Sequence, residues 1–176
     1  DADGNKHYYT DQTDNYLQKN YQLLLNHSFS TAWNLNVALH YTKGDGYYEE
    51  YKPGSSLVEY GLKPFNPDGT ETNESDLVRQ KKMDNKFGGG VFSLNYTGNR
   101  LTASLGGGLN QYRGNNFGKV TWVKNYIGIL SPEHEYYRNK SKKTDGNIYL
   151  KANYDLTSTL SAYADLQYRH IDYTID

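Results

Sequence analysis

The 176-residue chain contains no cysteine. That excludes a disulfide framework, a thiolate metal site and a thiol nucleophile. It also lacks any long apolar run: Leu23-Leu24-Leu25 is about the longest, far short of the roughly 20 residues a membrane helix needs. A helical span is therefore excluded, whereas a membrane barrel is not, because barrel strands alternate apolar and polar residues and keep mean hydropathy low. The mean hydropathy is −0.91, and apolar residues make up only 36% of the chain. Excess charge is absent too. A net charge of −1 gives no basis for a nucleic-acid partner. There is no HExxH, no GxGxxG and no P-loop, and the five histidines are dispersed. No spacing identifies a Ser-His-Asp set or an acid/base carboxylate pair, so the chain reads as a non-enzyme, with no cofactor and no metal.

What is present is tyrosine, 19 residues against 5 Phe and 2 Trp, and period-two alternation. The clearest hairpin runs from Lys86 to Tyr112. Phe92, Leu94 and Tyr96 alternate with Val91, Ser93 and Asn95. After a TGNR turn, Leu101, Ala103, Leu105 and Leu109 alternate with Thr102, Ser104, Gly106 and Asn110. Trp33, Leu35, Val37, Leu39 and Tyr41 alternate as cleanly with Asn34, Asn36, Ala38, His40 and Thr42. The same reading along the chain predicts an all-β, antiparallel up-and-down meander of six strands, over about 16–29, 33–43, 77–97, 101–112, 139–154 and 160–175. Residues 1–15 are expected to be a polar loop or disordered end. Long loops are expected over about 44–76 and 113–138.

Connection length then alternates short, long, short, long, short. In a meander this places all short turns at one end and all long loops at the other, which is the pattern of short periplasmic turns and long extracellular loops in an outer-membrane barrel. Aromatics stand at the short-turn ends: Phe29, Trp33, Tyr96 and Tyr154. A third strand of about 20 residues, ~66 Å at ~3.3 Å each, exceeds the 9–11 residues of a membrane crossing. Six strands cannot close a membrane barrel, since the smallest have 8. With the chain opening on DADGNK and stopping on RHIDYTID in mid-pattern, an internal fragment of a longer protein is expected.

Two stretches carry a family resemblance. Asn34–Lys52, NLNVALHYTKGDGYYEEYK, and Leu77–Tyr96, LVRQKKMDNKFGGGVFSLNY, resemble the barrel region of TonB-dependent outer-membrane receptors, especially those of Bacteroidetes. The resemblance covers most of the chain from about Tyr16, in barrel strands alone. It implies a bacterial outer-membrane location, contact with outer-membrane lipid, and a plug domain of the same full-length chain inside the barrel. It also implies a TonB system engaged through an N-terminal region that this sequence does not contain, and energised import of an iron chelate such as a siderophore, a vitamin or an oligosaccharide. A passive porin, another outer-membrane barrel, and a soluble all-β glycan-binding module are the alternatives.

Candidate ligand-binding residues lie on the expected long loops: Tyr47, Tyr48 and Tyr51 with Glu49 and Glu50 on the first, and Trp122, Tyr126, Tyr136 and Tyr137 on the second. Aromatics there either stack against a small-molecule or glycan ligand or pack the loops together. Arg79, Lys81, Lys82 and Lys86 would attract an anionic ligand or lipopolysaccharide, or simply be solvated. Asp68, Glu71, Glu74 and Asp76 offer the clustered carboxylates that Ca²⁺ favours, but they lack EF-hand spacing, and a solvated acidic loop is the favoured reading. His40, on the expected lumen face, either touches a ligand or is a satisfied or solvated wall residue, the second being favoured. The triplets Gly88–Gly90 and Gly106–Gly108 permit bending or close approach of another backbone, the plug being one such neighbour.

Overall fold

The computed structural model describes residues 12–62, 68, 70, 71, 73–124, 126 and 134–176. The architecture is all-β. Strands β1 (Asp14–Ser28), β2 (Trp33–Ser56), β3 (Glu74–Thr97), β4 (Leu101–Val123), β5 (Glu135–Asp155) and β6 (Ser161–Ile175) form one antiparallel sheet in the order β1-β2-β3-β4-β5-β6. The meander is open: β1 and β6 are its edges and do not pair with each other. Among the described residues the only helical element is a single 3₁₀ turn, Val58–Tyr60.

Four strands are longer than their apolar alternation indicates. β2 continues to Ser56 rather than stopping near 43, β3 begins at Glu74, β4 reaches Val123 and β5 begins at Glu135. The loops expected over 44–76 and 113–138 therefore shrink to 57–73 and 124–134. The physical reason is that the β2 and β4 extensions interleave glycine and charge with isolated aromatic or apolar residues, and those of β3 and β5 are three or four residues long, so no period-two apolar run marks them. The glycines mark crowding, not breaks: a Cβ at Gly44 would collide with the Tyr16 ring of β1. The expectation for 1–15 falls mostly outside the described residues; Asp14 and Asn15 belong to β1.

Contacts divide the chain into two compact units. Unit 1 comprises 1–17, 44–84 and 115–140, and unit 2 comprises 18–43, 85–114 and 141–176. The long connections belong to unit 1 and the three short turns to unit 2. Those turns are closed by short backbone bonds: Phe29 N–H to Trp33 O (3.0 Å), Gly98 N–H to Leu101 O (2.8 Å) and Thr157 N–H to Leu160 O (3.0 Å).

In unit 2 the sheet separates chemistry by face. One face carries a chain of hydrogen bonds running through β1, β2, β3 and β4. Asn34 donates to Asn26 and Ser28, Asn36 donates to Ser93 (3.3 Å), Asn95 donates to Ser93, and Ser104 donates to Asn95 (2.8 Å). On the same face Lys151 approaches Asp165 at 3.7 Å, and Arg169 pairs with Asp145. The opposite face is apolar, and its register is matched strand to strand. Ile148 pairs with Tyr168, Leu150 with Leu166, Ala152 with Ala164 and Tyr154 with Ala162. This apolar face is solvent-exposed rather than a packed core: Leu109 is 63% exposed, Leu150 48% and Leu166 71%.

The glycine triplets sit in unit 2 and serve its own sheet. Side chains added on the apolar face would strike Leu39 at Gly90 and press tightly on the Tyr41 ring at Gly88. On the polar face Gly106 lies under the Tyr149 ring and Gly89 beside Asn110. A Cβ at Gly107 would collide with the Asn147 carbonyl of β5. Their close neighbours are thus adjacent strands of the sheet. His40 also belongs to this wall: its Nε2–H donates to Asn110 Oδ1 (2.8 Å), and its ring lies 4.8 Å from that of Phe87.

Candidate functional site

Among the described residues the fully buried large side chains, Leu57, Leu77 and Val120, lie in unit 1. Past the end of β2 the backbone turns back on itself. Tyr60 N–H bonds to Leu57 O, Gly61 N–H to Val58 O, and Leu62 N–H to Leu57 O (3.0 Å). Gly61 closes the turn at φ +66°, a conformation that costs glycine little because it has no Cβ. The turn inserts Leu57, Tyr60 and Leu62 against Leu77 of β3 and Val120 of β4, with Val123, Tyr126 and Tyr136 packed around them. Leu57 and Leu77 are both 0% exposed. This small core covers one face of the unit 1 sheet.

A polar clamp borders the core. Arg79 of β3 donates from Nε to Glu50 of β2 (2.7 Å) and from Nη1 to the Tyr60 hydroxyl (2.9 Å). Lys52 reaches the other Glu50 oxygen at 3.1 Å. Burial pushes the Glu50 carboxyl up, but the hydrogen bonds and charges of Arg79 and Lys52 outweigh it and hold the group below the usual glutamate range. For Arg79, burial works against the cation, and Glu50 reverses the sign. His134 donates to the Tyr60 carbonyl (2.6 Å), a second tie on the turn.

The aromatic residues singled out in the sequence do not form one cluster, and all but Tyr126 stand on strands rather than loops. Neighbouring residues of a strand point to opposite faces, so β2 divides its own tyrosines. Tyr48 pairs with Lys81 (5.7 Å from the ring centroid) on the covered face. There Tyr136 meets Tyr60 at 4.7 Å and Tyr137 at 4.9 Å, both edge-on. Burial pushes the Tyr136 hydroxyl up to about 12, and its oxygen has no hydrogen-bond partner among the described residues. Tyr137 is raised for the same reason.

Tyr47, Tyr51 and Trp122 belong to the opposite face. Lys82 lies 5.2 Å from the Tyr47 ring. Tyr51 hydrogen-bonds Asp76, whose carboxylate also accepts from Gly54 N–H (3.0 Å) and Lys124 (3.2 Å). Glu49, Tyr51, Val78, Thr121 and Trp122 line an open groove of about 380 Å³. Tyr126 packs against the core.

Among the described residues no three His, Asp or Glu side chains converge on a metal-sized site. Asp76, named with the acidic loop, is engaged by Tyr51, Gly54 and Lys124. The sequence reading missed Tyr60, Leu57, Leu62 and Val120. An apolar-aromatic triplet spaced through LVEYGL was the one signal for a covering turn, but it lay inside a stretch assigned wholly to loop.

The arrangement offers two aromatic surfaces with cations beside them, one packed and one grooved. It holds no converged nucleophile, general base or metal set among the described residues. Comparison with protein-family models finds no match, and comparison with curated proteins finds none.

Proposed function

We propose that this chain is wall from the β-barrel of a bacterial outer-membrane receptor of the TonB-dependent type, which captures a scarce ligand and imports it. On this reading it acts by binding and transport, not catalysis. The observation that carries the proposal is the apolar band of unit 2. On β2 it runs from Trp33 to Tyr41, ~26 Å at ~3.3 Å per residue, close to the ~25 Å outward band of outer-membrane barrels. An aromatic contact stands at each end: Trp33 with Tyr96 (4.9 Å) and Tyr21 with Tyr41 (6.4 Å). Aromatic girdles occupy such positions at the two membrane interfaces. The other face of the same sheet is a connected polar surface, as a watered lumen permits.

The receptor reading, rather than a passive pore, is supported by the structured long-connection end. Strands of 23 and 24 residues exceed a membrane crossing by more than twofold. In unit 1 the same strands carry a covered hydrophobic core and an open aromatic groove. Glu49, Tyr51 and Trp122 in that groove suit a ligand with stacking surface and hydroxyl or amine donors, such as a glycan or an aromatic chelate.

The test uses the intact protein in whole cells. Labelled candidate ligands are offered with and without an uncoupler that collapses the inner-membrane proton gradient. Accumulation above the external concentration that the uncoupler abolishes supports the receptor. Equilibration unaffected by the uncoupler identifies a passive pore. Recovery of the protein in the soluble fraction overturns the membrane reading altogether.

A further inference from the structure

Just past the tyrosine end of the apolar band, unit 2 carries one cation on each of five consecutive strands: Lys19, Lys43, Lys86, Arg113 and Lys142. Contacts between strands place them in a single row. Asn20 accepts from Thr42, and Tyr21 meets Tyr41, which sets Lys19 opposite Lys43. Gly88 faces Tyr41, so two residues further along each strand Lys43 stands opposite Lys86. The Asn95–Ser104 bond and the Val91–Gly108 contact set β3 against β4, bringing Lys86 opposite Arg113. Gln111 bonds to Thr144 (3.4 Å) and Leu109 faces Gly146, which brings Arg113 opposite Lys142. The next partner, on β6, is uncharged Thr174.

All five side chains are exposed. Among the described residues none pairs with a carboxylate; Arg113 donates to Gln111 (2.8 Å), which orients its guanidinium. Adjacent strands lie ~4.8 Å apart, so the row runs ~19 Å with four successive like-charge neighbours. Directly opposed like charges destabilise a sheet. A chain with net charge −1 has no surplus of cations to account for this one. An anionic counter-surface as long as the row would relieve this repulsion, and the row borders apolar surface on its band side.

We infer that the row binds the phosphate groups of lipid whose acyl chains cover the apolar face. This rests on the membrane-barrel reading and names the lipid class: a phosphorylated headgroup lipid at the long-connection end, which is the outer leaflet. Lysine and arginine above an aromatic belt meet headgroup phosphates while the belt and band meet interface and hydrocarbon.

The intact protein and a K43Q/K86Q/R113Q variant are first inserted into phosphatidylcholine vesicles. Both are then unfolded thermally in zwitterionic detergent, alone and with diphosphorylated lipid A, dephosphorylated lipid A or inorganic phosphate. In detergent alone the variant is expected to unfold at the higher temperature, because repulsion is removed. Diphosphorylated lipid A is expected to raise the wild-type transition by several degrees, with at least tenfold weaker binding by the variant, so the order of stabilities reverses. Dephosphorylated lipid A and inorganic phosphate should leave both transitions in place. An equal lipid A shift in both proteins, or a shift reproduced by inorganic phosphate, overturns the inference while leaving the barrel intact. Failure of the wild type to insert into vesicles overturns the barrel reading and this inference with it.

Discussion

Substituting Leu150→Arg measures directly which solvent the apolar face meets. Leu150 stands on β5 opposite Leu166 and four residues from Tyr154, ~13 Å from the short-turn aromatic end. That is near the middle of a ~25 Å band. In water the substitution removes little packing, because Leu150 is already 48% exposed and Leu166 71%. An exposed strand position of this kind changes stability by about 0.5 kcal/mol or less. In a bilayer the same arginine is placed near the midplane, where it costs about 2–4 kcal/mol. At ~1.4 kcal/mol per factor of ten, that is a loss of roughly thirtyfold to several hundredfold in the folding equilibrium. Asn153→Arg is the control, since Asn153 sits opposite Tyr163 on the face of Lys151 and Asp165. Both variants of the intact protein would be unfolded by urea in lipid vesicles, following tryptophan emission and the heat-modifiable gel shift. Equal midpoints for the two variants would refute the assignment of faces.

Gly106→Ala and Gly107→Ala are both expected to slow assembly, but Tyr149→Ala should rescue only the first. A Cβ at Gly106 strikes a ring that truncation removes, whereas at Gly107 it strikes the Asn147 carbonyl. Leu57→Ala empties a site that is 0% exposed and should cost ~2–5 kcal/mol of local stability. The check is hydrogen exchange at Tyr60, Gly61 and Leu62, which should accelerate while membrane insertion is unchanged. Because the Glu50 carboxyl is held below its ordinary range, its contribution to the Arg79–Tyr60 clamp is complete above that range. It is lost as pH falls through the depressed value. Protection of Gly61 from exchange, relative to the intrinsic rate at each pH, should therefore fall only in buffer more acidic than the ordinary glutamate range, and Glu50→Gln should flatten the profile.

Much of unit 2 is legible in the chain because one physical signal controls it. Where one face of a sheet is apolar and the other polar, a one-residue slip exposes every side chain to the wrong medium. Trp33–Tyr41 and Tyr96–Leu105 therefore announce strand, face and short turn together. Unit 1 is not legible in that way. Gly44, Gly46, Pro53 and a run of charges look like a loop, yet β2 continues through them, because backbone pairing needs no apolar face. The aromatic candidates suffered accordingly. Tyr47 and Tyr48 are neighbours in sequence and belong to opposite faces, so a group that looked single is two. The cation row shows the same limit from the other side. Lys19, Lys43, Lys86, Arg113 and Lys142 are spread over the length of the chain, and nothing in their spacing relates them.

The sequence by itself determined the all-β meander, the segregation of short and long connections, and the facing of residues within each apolar strand. These follow from local alternation and turn chemistry, which act between near neighbours. Only the tertiary structure decided where β2 to β5 end, which tyrosines share a face, that Leu57, Tyr60 and Leu62 close over Leu77, and that five distant cations align. Those depend on register between strands, and register is set by contacts such as Asn95–Ser104 and Leu109–Gly146 that join residues far apart in the chain or across a turn.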